Sequence, residues 1–232
     1  MFVQTSAAFG DALERTGSAG AAIAGSGRLD ALLALERIGG RRSFARNEAV
    51  FAEGDPGDCW YRVVSGTVRL CKLSADGRRH IAEFYFTGDC FGLENVAERL
   101  FAAEAVGDVI VMRYSRRATE RAIDDDPSLA RALRDMTLRD LANAQIRLFM
   151  LGRMSAPERV ANFLLDMFER RDARRALDLP MSRNDIADYL GLTIETVCRV
   201  MSAFRRCGVI DIPSPHRVEL RDRAALAAIG QA

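Results

Sequence analysis

Between Phe44 and Tyr114 apolar and polar residues alternate in short runs cut by turn residues. The runs CWYRVV, TVRLCKL and HIAEFYF are separated by EGDPGD, Ser65-Gly66, ADG at 75–77 and TGD at 87–89, and a last run, DVIVMRY, follows. A period of two broken by Gly, Asp and Pro is the pattern of antiparallel strands joined by hairpins, so this region predicts an all-β roll or jelly roll. Beyond it the period changes. Asp126-Pro127 suits a helix start, because Asp caps and Pro is pre-set for the first helical position. No Pro or Gly interrupts the chain from there to Gly152. Leu141, Ala144, Leu148 and Leu151 fall at alternating three- and four-residue steps, the seam of a coiled coil, with Leu129, Leu133 and Met136 widening the stripe upstream. Such a narrow seam predicts a parallel homodimer; the alternative is docking on the chain's own β-domain.

Further on, Ser155-x-x-Glu158 with Pro157 in the first turn is a capping box that starts a new helix, ERVANFLLDMFERR. Ser182 with Asp185 three residues on starts another, and Gly191 ends it. Thr193 is placed to cap the next, and two short helices joined by a Gly-containing turn form a helix-turn-helix. Projected at roughly 100° per residue, Ile194, Val197, Val200, Met201 and Phe204 share an apolar sector. Glu195, Arg199, Ser202 and Arg206 lie opposite, with Cys198 on the border. After Gly208, VIDIPSPHRVEL reads as a two-stranded wing. The expected organisation is a mobile arm (1–28, rich in Ala, Gly and Ser), a β-roll (29–125) entered by a short helix LDALLALERI, a dimerisation helix (126–154) and a winged helix-turn-helix (155–232). The fold class is therefore α+β.

Composition changes this picture little. Apolar residues make up 49% and charged ones 28% of 232 residues, ordinary for a globular protein. No run of about 18 apolar residues predicts a membrane span, and the N-terminal SAGAAIAG lacks the core of a signal peptide, so the expected place is the cytoplasm. Five cysteines without regular spacing do not form a disulfide framework. Lys72 is the only lysine, so nearly every cation is a guanidinium, suited to phosphate or guanine.

The order roll, long helix, winged helix-turn-helix resembles the CRP/FNR family of bacterial transcription regulators, most specifically in EGDPGD...YRVVSGTVRL, GDCFG and IETVCR. The resemblance implies that Glu195 and Arg199 read bases in the major groove of double-stranded DNA. A carboxylate accepts from a base amino group, and Arg forks onto guanine O6 and N7. Ile194 and Cys198 stand where FixK and FNR types carry an apolar residue and Ser, which implies FixK-like half-sites, TTGAT and its inverse. Thr193, Thr196, Ser202, Arg206, Ser182, Arg183, His216 and Arg217 are the expected DNA-backbone contacts. RNA polymerase is the implied partner, and low-oxygen respiration, denitrification or nitrogen fixation the implied regulon.

Cyclic-nucleotide binders of the family place Glu directly after Phe-Gly and an Arg about ten residues on. Here Leu93 follows Phe91-Gly92, Glu94 comes one place late, Glu104 stands where a cation is wanted, and Arg99 lies out of register. No cyclic nucleotide is therefore expected. No Cys precedes Cys59, against a cluster-binding N-terminal group; Cys59, Cys71 and Cys90 read as buried thiols. His80 reads as solvated rather than a haem ligand, so no cofactor is expected. The alternatives are a cyclic-nucleotide-dependent regulator or a haem- or NO-sensing one. Cys198, beside Arg199, is a redox candidate, set against simple replacement of Ser. One His in the roll cannot build a metal-dependent cupin site, and no nucleophile elbow, Walker loop or CxxC occurs, so an enzyme is not expected.

Overall fold

The structure, a computed structural model, describes Leu35 and residues 38–231. The expected N-terminal arm lies outside the described residues, as does most of the short helix after it; Leu35 is helical and buried. The described residues form two compact units that divide between Ile146 and Arg147.

In the first unit eight strands run β1 (Gly40–Phe44), β2 (Ala49–Phe51), β3 (Cys59–Ser65), β4 (Thr67–Leu73), β5 (Arg79–Phe86), β6 (Cys90–Phe91), β7 (Ala102–Ala105) and β8 (Val109–Ser115). They form two antiparallel sheets, ordered β1-β8-β3-β6 and β2-β7-β4-β5. The expected hairpins are present. Gly66, between β3 and β4, has φ +91, and a Cβ there would run into the Asp108 carbonyl, so this turn requires glycine. Alternate residues of the strands meet between the sheets: Phe51, Tyr61, Val63, Val68, Phe91, Ala103, Ala105, Val109 and Val111 form the core. Its centre is aromatic. Phe91 stacks on Tyr61 and on Tyr85 at 5.2 Å, and Phe51 lies 5.6 Å from Tyr61.

Helix α1 (Arg116–Asp125), which the sequence pattern does not announce, follows β8 directly. Its Thr119 hydroxyl accepts from Trp60 Nε1 at 2.9 Å. Helix α2 (Pro127–Arg153) starts where expected, with the Asp126 carboxylate accepting from Ser128 N at 2.9 Å. The Ser128 hydroxyl, and then this N–H, hold the Asp126 carboxyl below its usual pKa.

The two halves of α2 differ. Leu129 and Met136 are buried with Leu35, Trp60, Cys90 and Tyr114, and Leu133 packs against the same cluster. These residues therefore do not widen the seam; they dock on the roll, because the periodicity of a helix shows that a stripe is apolar but not what covers it. Downstream, Leu141 and Leu148 are 54% and 74% exposed, flanked by exposed Leu138, Ala144 and Phe149. Leu151 is half-buried.

The second unit holds α3 (Ala156–Arg170), β9 (Ala176–Asp178), α4 (Arg183–Leu190), α5 (Ile194–Arg206), β10 (Ile210–Ser214), β11 (Arg217–Leu220) and α6 (Arg223–Gly230). The Ser155–Glu158 capping box is formed, with Ser155 N donating to Glu158 at 2.6 Å. Val160, Ala161, Phe163, Leu164, Met167 and Phe168 make the buried face of α3.

Candidate nucleic-acid interface

Local chemistry fixes both helices of the motif. At the start of α4, Ser182 Oγ accepts from Asp185 N, and the Asp185 carboxylate takes up Ser182 N at 3.0 Å. Gly191 ends α4 in the left-handed conformation at φ +61, where a side chain would add strain. Thr193 Oγ1 then accepts from Thr196 N and starts α5. Capped at both ends of the turn, the second helix is a rigid platform.

Val197, Val200, Met201 and Phe204 of α5 are buried, while Glu195, Cys198, Arg199, Ser202, Arg205 and Arg206 are exposed. Ile194 corrects its place in the apolar sector: at 39% exposure it lies at the open N-terminal edge, because only the later turns are covered. Cys198 is exposed rather than at a border. Among the described residues Arg199 and Arg206 make no hydrogen bond or ion pair. Glu195 accepts from its own backbone N–H and from the Thr193 hydroxyl, which lowers its pKa, so the carboxylate is ionised at neutral pH.

The remaining expected contacts sit differently. Thr193 and Ser202 are exposed and Thr196 and Ser182 half-buried. Arg183 does not project as a free cation. Its guanidinium lies along α5 with Nη1 2.6 Å from Met201 Sδ, and burial lowers its pKa against the opposing pull of Cys198. The cation facing the Cys198 thiol is thus Arg183 as well as its chain neighbour. In the wing, β11 pairs with β10 and, unexpectedly, with β9, giving a three-stranded sheet. His216 at its tip is tied to Leu179, whose N–H donates to the His216 carbonyl at 2.7 Å. Arg217 is paired with Asp178 at 3.1 Å. From Arg147 onward the chain carries fourteen arginines against eleven carboxylates, whereas the preceding part has an acidic excess.

The roll's interior offers the other candidate site, and here two expectations are corrected. Arg99 is not out of place: it is 2% exposed beside the Phe91-Gly92 turn. Nη1 donates to the Gly92 carbonyl at 3.1 Å and to Glu94 at 2.9 Å, Nη2 donates to the Cys59 carbonyl, and the guanidinium lies 4.4 Å from the Phe51 ring. Only Nε lacks a hydrogen bond. Arg116 grips the same turn through the carbonyls of Gly92, Leu93 and Glu94. Glu104, standing where a cation was wanted, does have an Arg beside it: Arg69 Nη2 donates to it at 2.6 Å and to Asn47 at 3.2 Å. Cys59, Cys71 and Cys90 are buried, as expected. Among the described residues no group of three His, Cys, Asp or Glu is placed to hold a metal, and no helix is long and apolar enough to cross a membrane.

Comparisons with known proteins agree with this architecture. Residues 41–126 match the cyclic nucleotide-binding domain and residues 158–229 the Crp-like helix-turn-helix domain. The nitrogen fixation regulation protein FixK of Azorhizobium caulinodans is 45% identical over 188 residues, 79% of this chain and 76% of that protein. FixK of Bradyrhizobium diazoefficiens is 42% identical over 182 residues, 77% of each chain. The solved structure of FixK2 from Bradyrhizobium japonicum superposes with a TM-score of 0.81 at 40% identity, covering 84% of this chain and 98% of that one. The roll, the helix-turn-helix and these relatives together make the chain a DNA-binding transcription regulator. The chain belongs to the CRP/FNR family, on its FixK-like branch.

Proposed function

We propose that the chain acts in the cytoplasm as a homodimeric activator of the FixK type, reading a TTGAT-like palindrome without cyclic nucleotide. The observation that carries this reading is the outward guanidinium of Arg199, unpaired among the described residues, one turn from the ionised Glu195 on a helix capped by Thr193. Arg199 forks onto guanine, Glu195 accepts from a base amino group, and Ile194 and Cys198 complete the base-facing edge. Thr193, Thr196, Ser202 and Arg206 reach the backbone from α5. Ser182, Arg183, His216 and Arg217 can join them once Arg183 leaves Met201 and Arg217 leaves Asp178. Residues 126–154 serve as the dimer helix, through Leu141, Ala144, Leu148 and Leu151, and 155–232 as the DNA-binding domain. The exposed leucines of α2 support the dimer, and two recognition helices would then meet major grooves roughly 34 Å apart.

Independence from cyclic nucleotide is supported by arginines already bonded to carbonyls and carboxylates, Arg99 to Gly92 and Glu94 and Arg69 to Glu104. RNA polymerase is the proposed partner at promoters, and the FixK relatives, called nitrogen fixation regulation proteins, point to nitrogen-fixation and low-oxygen genes as targets. The test is a gel shift at fixed salt, since backbone affinity falls steeply with ionic strength. A TTGAT palindrome should be bound in preference to a TGTGA one, and the reverse preference would overturn the assignment. Alongside it, Leu148→Glu should shift sedimentation from dimer to monomer and lower palindrome affinity by about hundredfold, the order of avidity lost with one of two linked modules.

A further inference from the structure

Base reading by two linked helices needs more than correct side chains; it needs each helix-turn-helix held at one angle to the helix that carries it. One residue, neither on the DNA side nor in the seam, is built for that. Arg159 sits in the first turn of α3, and its guanidinium joins three separate segments at once. Nε donates to Met154 O, Nη1 to Leu190 O and Nη2 to Leu151 O, each at 2.9 Å. Leu151 belongs to the last turn of α2, Met154 follows that helix, and Leu190 is the last residue of α4. Carbonyls at helix C-termini have no partner within their helix and carry partial negative charge, so a cation placed between two such ends is stabilising at both.

The surroundings agree. A Cβ built on Gly191, the turn of the motif, would lie 3.5 Å from Leu151 Cδ2 and 3.6 Å from Arg159 Nη1, so the turn rests on the end of α2. Arg147, one turn earlier on α2, holds its guanidinium 4.4 Å from the Tyr189 ring of α4. A planar fork with fixed donor directions can hold three acceptors in one relative orientation; an ammonium of one nitrogen cannot.

We propose that Arg159 is the positioning residue that fixes the helix-turn-helix on the end of the long helix, and thereby the separation at which two recognition helices meet DNA. Its effect on DNA rests on the dimeric, base-reading function proposed above, but the latch itself is measurable without DNA. Spin labels on Cys207 and on Phe149→Cys, in a Cys198→Ser background and diluted with unlabelled chain, report one intramolecular distance. Arg159→Gln should at least double the width of that distance distribution, with Arg159→Lys in between. On DNA, the otherwise unaltered chain should prefer one palindrome spacing over a one-base-pair change by about tenfold, since half-site separation is a geometric match. Arg159→Gln should lose most of that preference while binding an isolated half-site as well as wild type does. A merely destabilising change would lower both.

A distribution as narrow in Arg159→Gln as in wild type overturns the latch. If Arg159→Gln does not fold, Arg159→Lys is measured in its place, and an unbroadened distribution there overturns the latch equally. Should wild type bind no palindrome at all, the proposed function fails, and the distance measurement still decides the role of Arg159.

Discussion

In the roll, Arg99 is buried with Glu94 and two backbone carbonyls on its guanidinium, and Arg69 is held by Glu104 and Asn47. On α5, Arg199 and Arg206 stand in solvent with no partner among the described residues. The cysteines divide the same way: Cys59, Cys71 and Cys90 of the roll are buried, Cys198 and Cys207 are exposed. One region has committed its polar chemistry to its own backbone, and the other has left it open. A buried charge must be paired to be tolerated, so Arg69 and Arg99 of the roll are bound to the fold, whereas Arg199 and Arg206 of α5 are available to an outside anion. In the module matching a ligand-binding domain Arg69 and Arg99 are thus held within the fold, while Arg199 and Arg206 of the second unit stand open to solvent.

The strongest way to break that contrast is Arg199→Ala. Removing a bidentate guanine contact costs about 1–3 kcal/mol per site, so the two copies in a dimer together should lose about 2–6 kcal/mol of discrimination. Titration on a TTGAT palindrome and on scrambled DNA should show the specific affinity falling by about thirtyfold or more while scrambled binding changes little. Equal losses on both DNAs would mean that Arg199 serves only as a backbone contact.

Next in size is Arg99→Met, which tests whether the roll's cation is structural. The change would leave the carbonyls of Cys59 and Gly92 without a donor and Glu94 without its ion pair. Removing one partner of a buried hydrogen-bonded charge typically costs about 3 kcal/mol or more, so the thermal midpoint of the roll should fall by several degrees. Calorimetry with cyclic AMP should show no heat of binding in wild type. A measurable heat would show that the guanidinium is available to a phosphodiester, and the contrast would be lost.

The contrast also explains which features were legible in the sequence. Hairpins, caps and the motif turn were readable because they follow from local chemistry: Gly66 and Gly191 at positive φ, Ser155 with Glu158, Ser182 with Asp185, Thr193 at a helix start. What stayed hidden depends on tertiary partners. Nothing in the apolar stripe told that Leu129 and Met136 would meet Trp60 and Tyr114 while Leu148 stayed open. Helix α1 has no side-chain cap on Ser115 to announce it, and β9 is three residues long. Arg99 is separated from Gly92 by an irregular loop, so spacing alone put it in the wrong place. Arg183 read as a DNA contact because its cover, Met201, comes from the next helix.

The most modest change concerns the thiols, and it tests the division between the two regions residue by residue. Burial, aided by the neighbouring Glu104 carboxylate, pushes the Cys71 thiol up to about 11, and burial raises Cys59 as well. A thiol whose pKa is raised carries less reactive thiolate at a given pH, so neither should react near neutrality, and Cys90 is shielded by its burial alone. A disulfide reagent at pH 8 should therefore titrate the two exposed cysteines in the native protein and all five in denaturant. Peroxide acting on Cys198 would put an anionic sulfinate on the face assigned to DNA, which opposes the phosphates by about 1 kcal/mol per copy at water-like dielectric. With both copies of a dimer oxidised, binding should weaken by up to about thirtyfold in wild type and hold in Cys198→Ser, because serine cannot be oxidised to an acid. If Cys198→Ser loses binding to peroxide as readily as wild type, the sensitivity lies elsewhere, and Cys198 is a packing replacement for serine at the edge of the recognition helix.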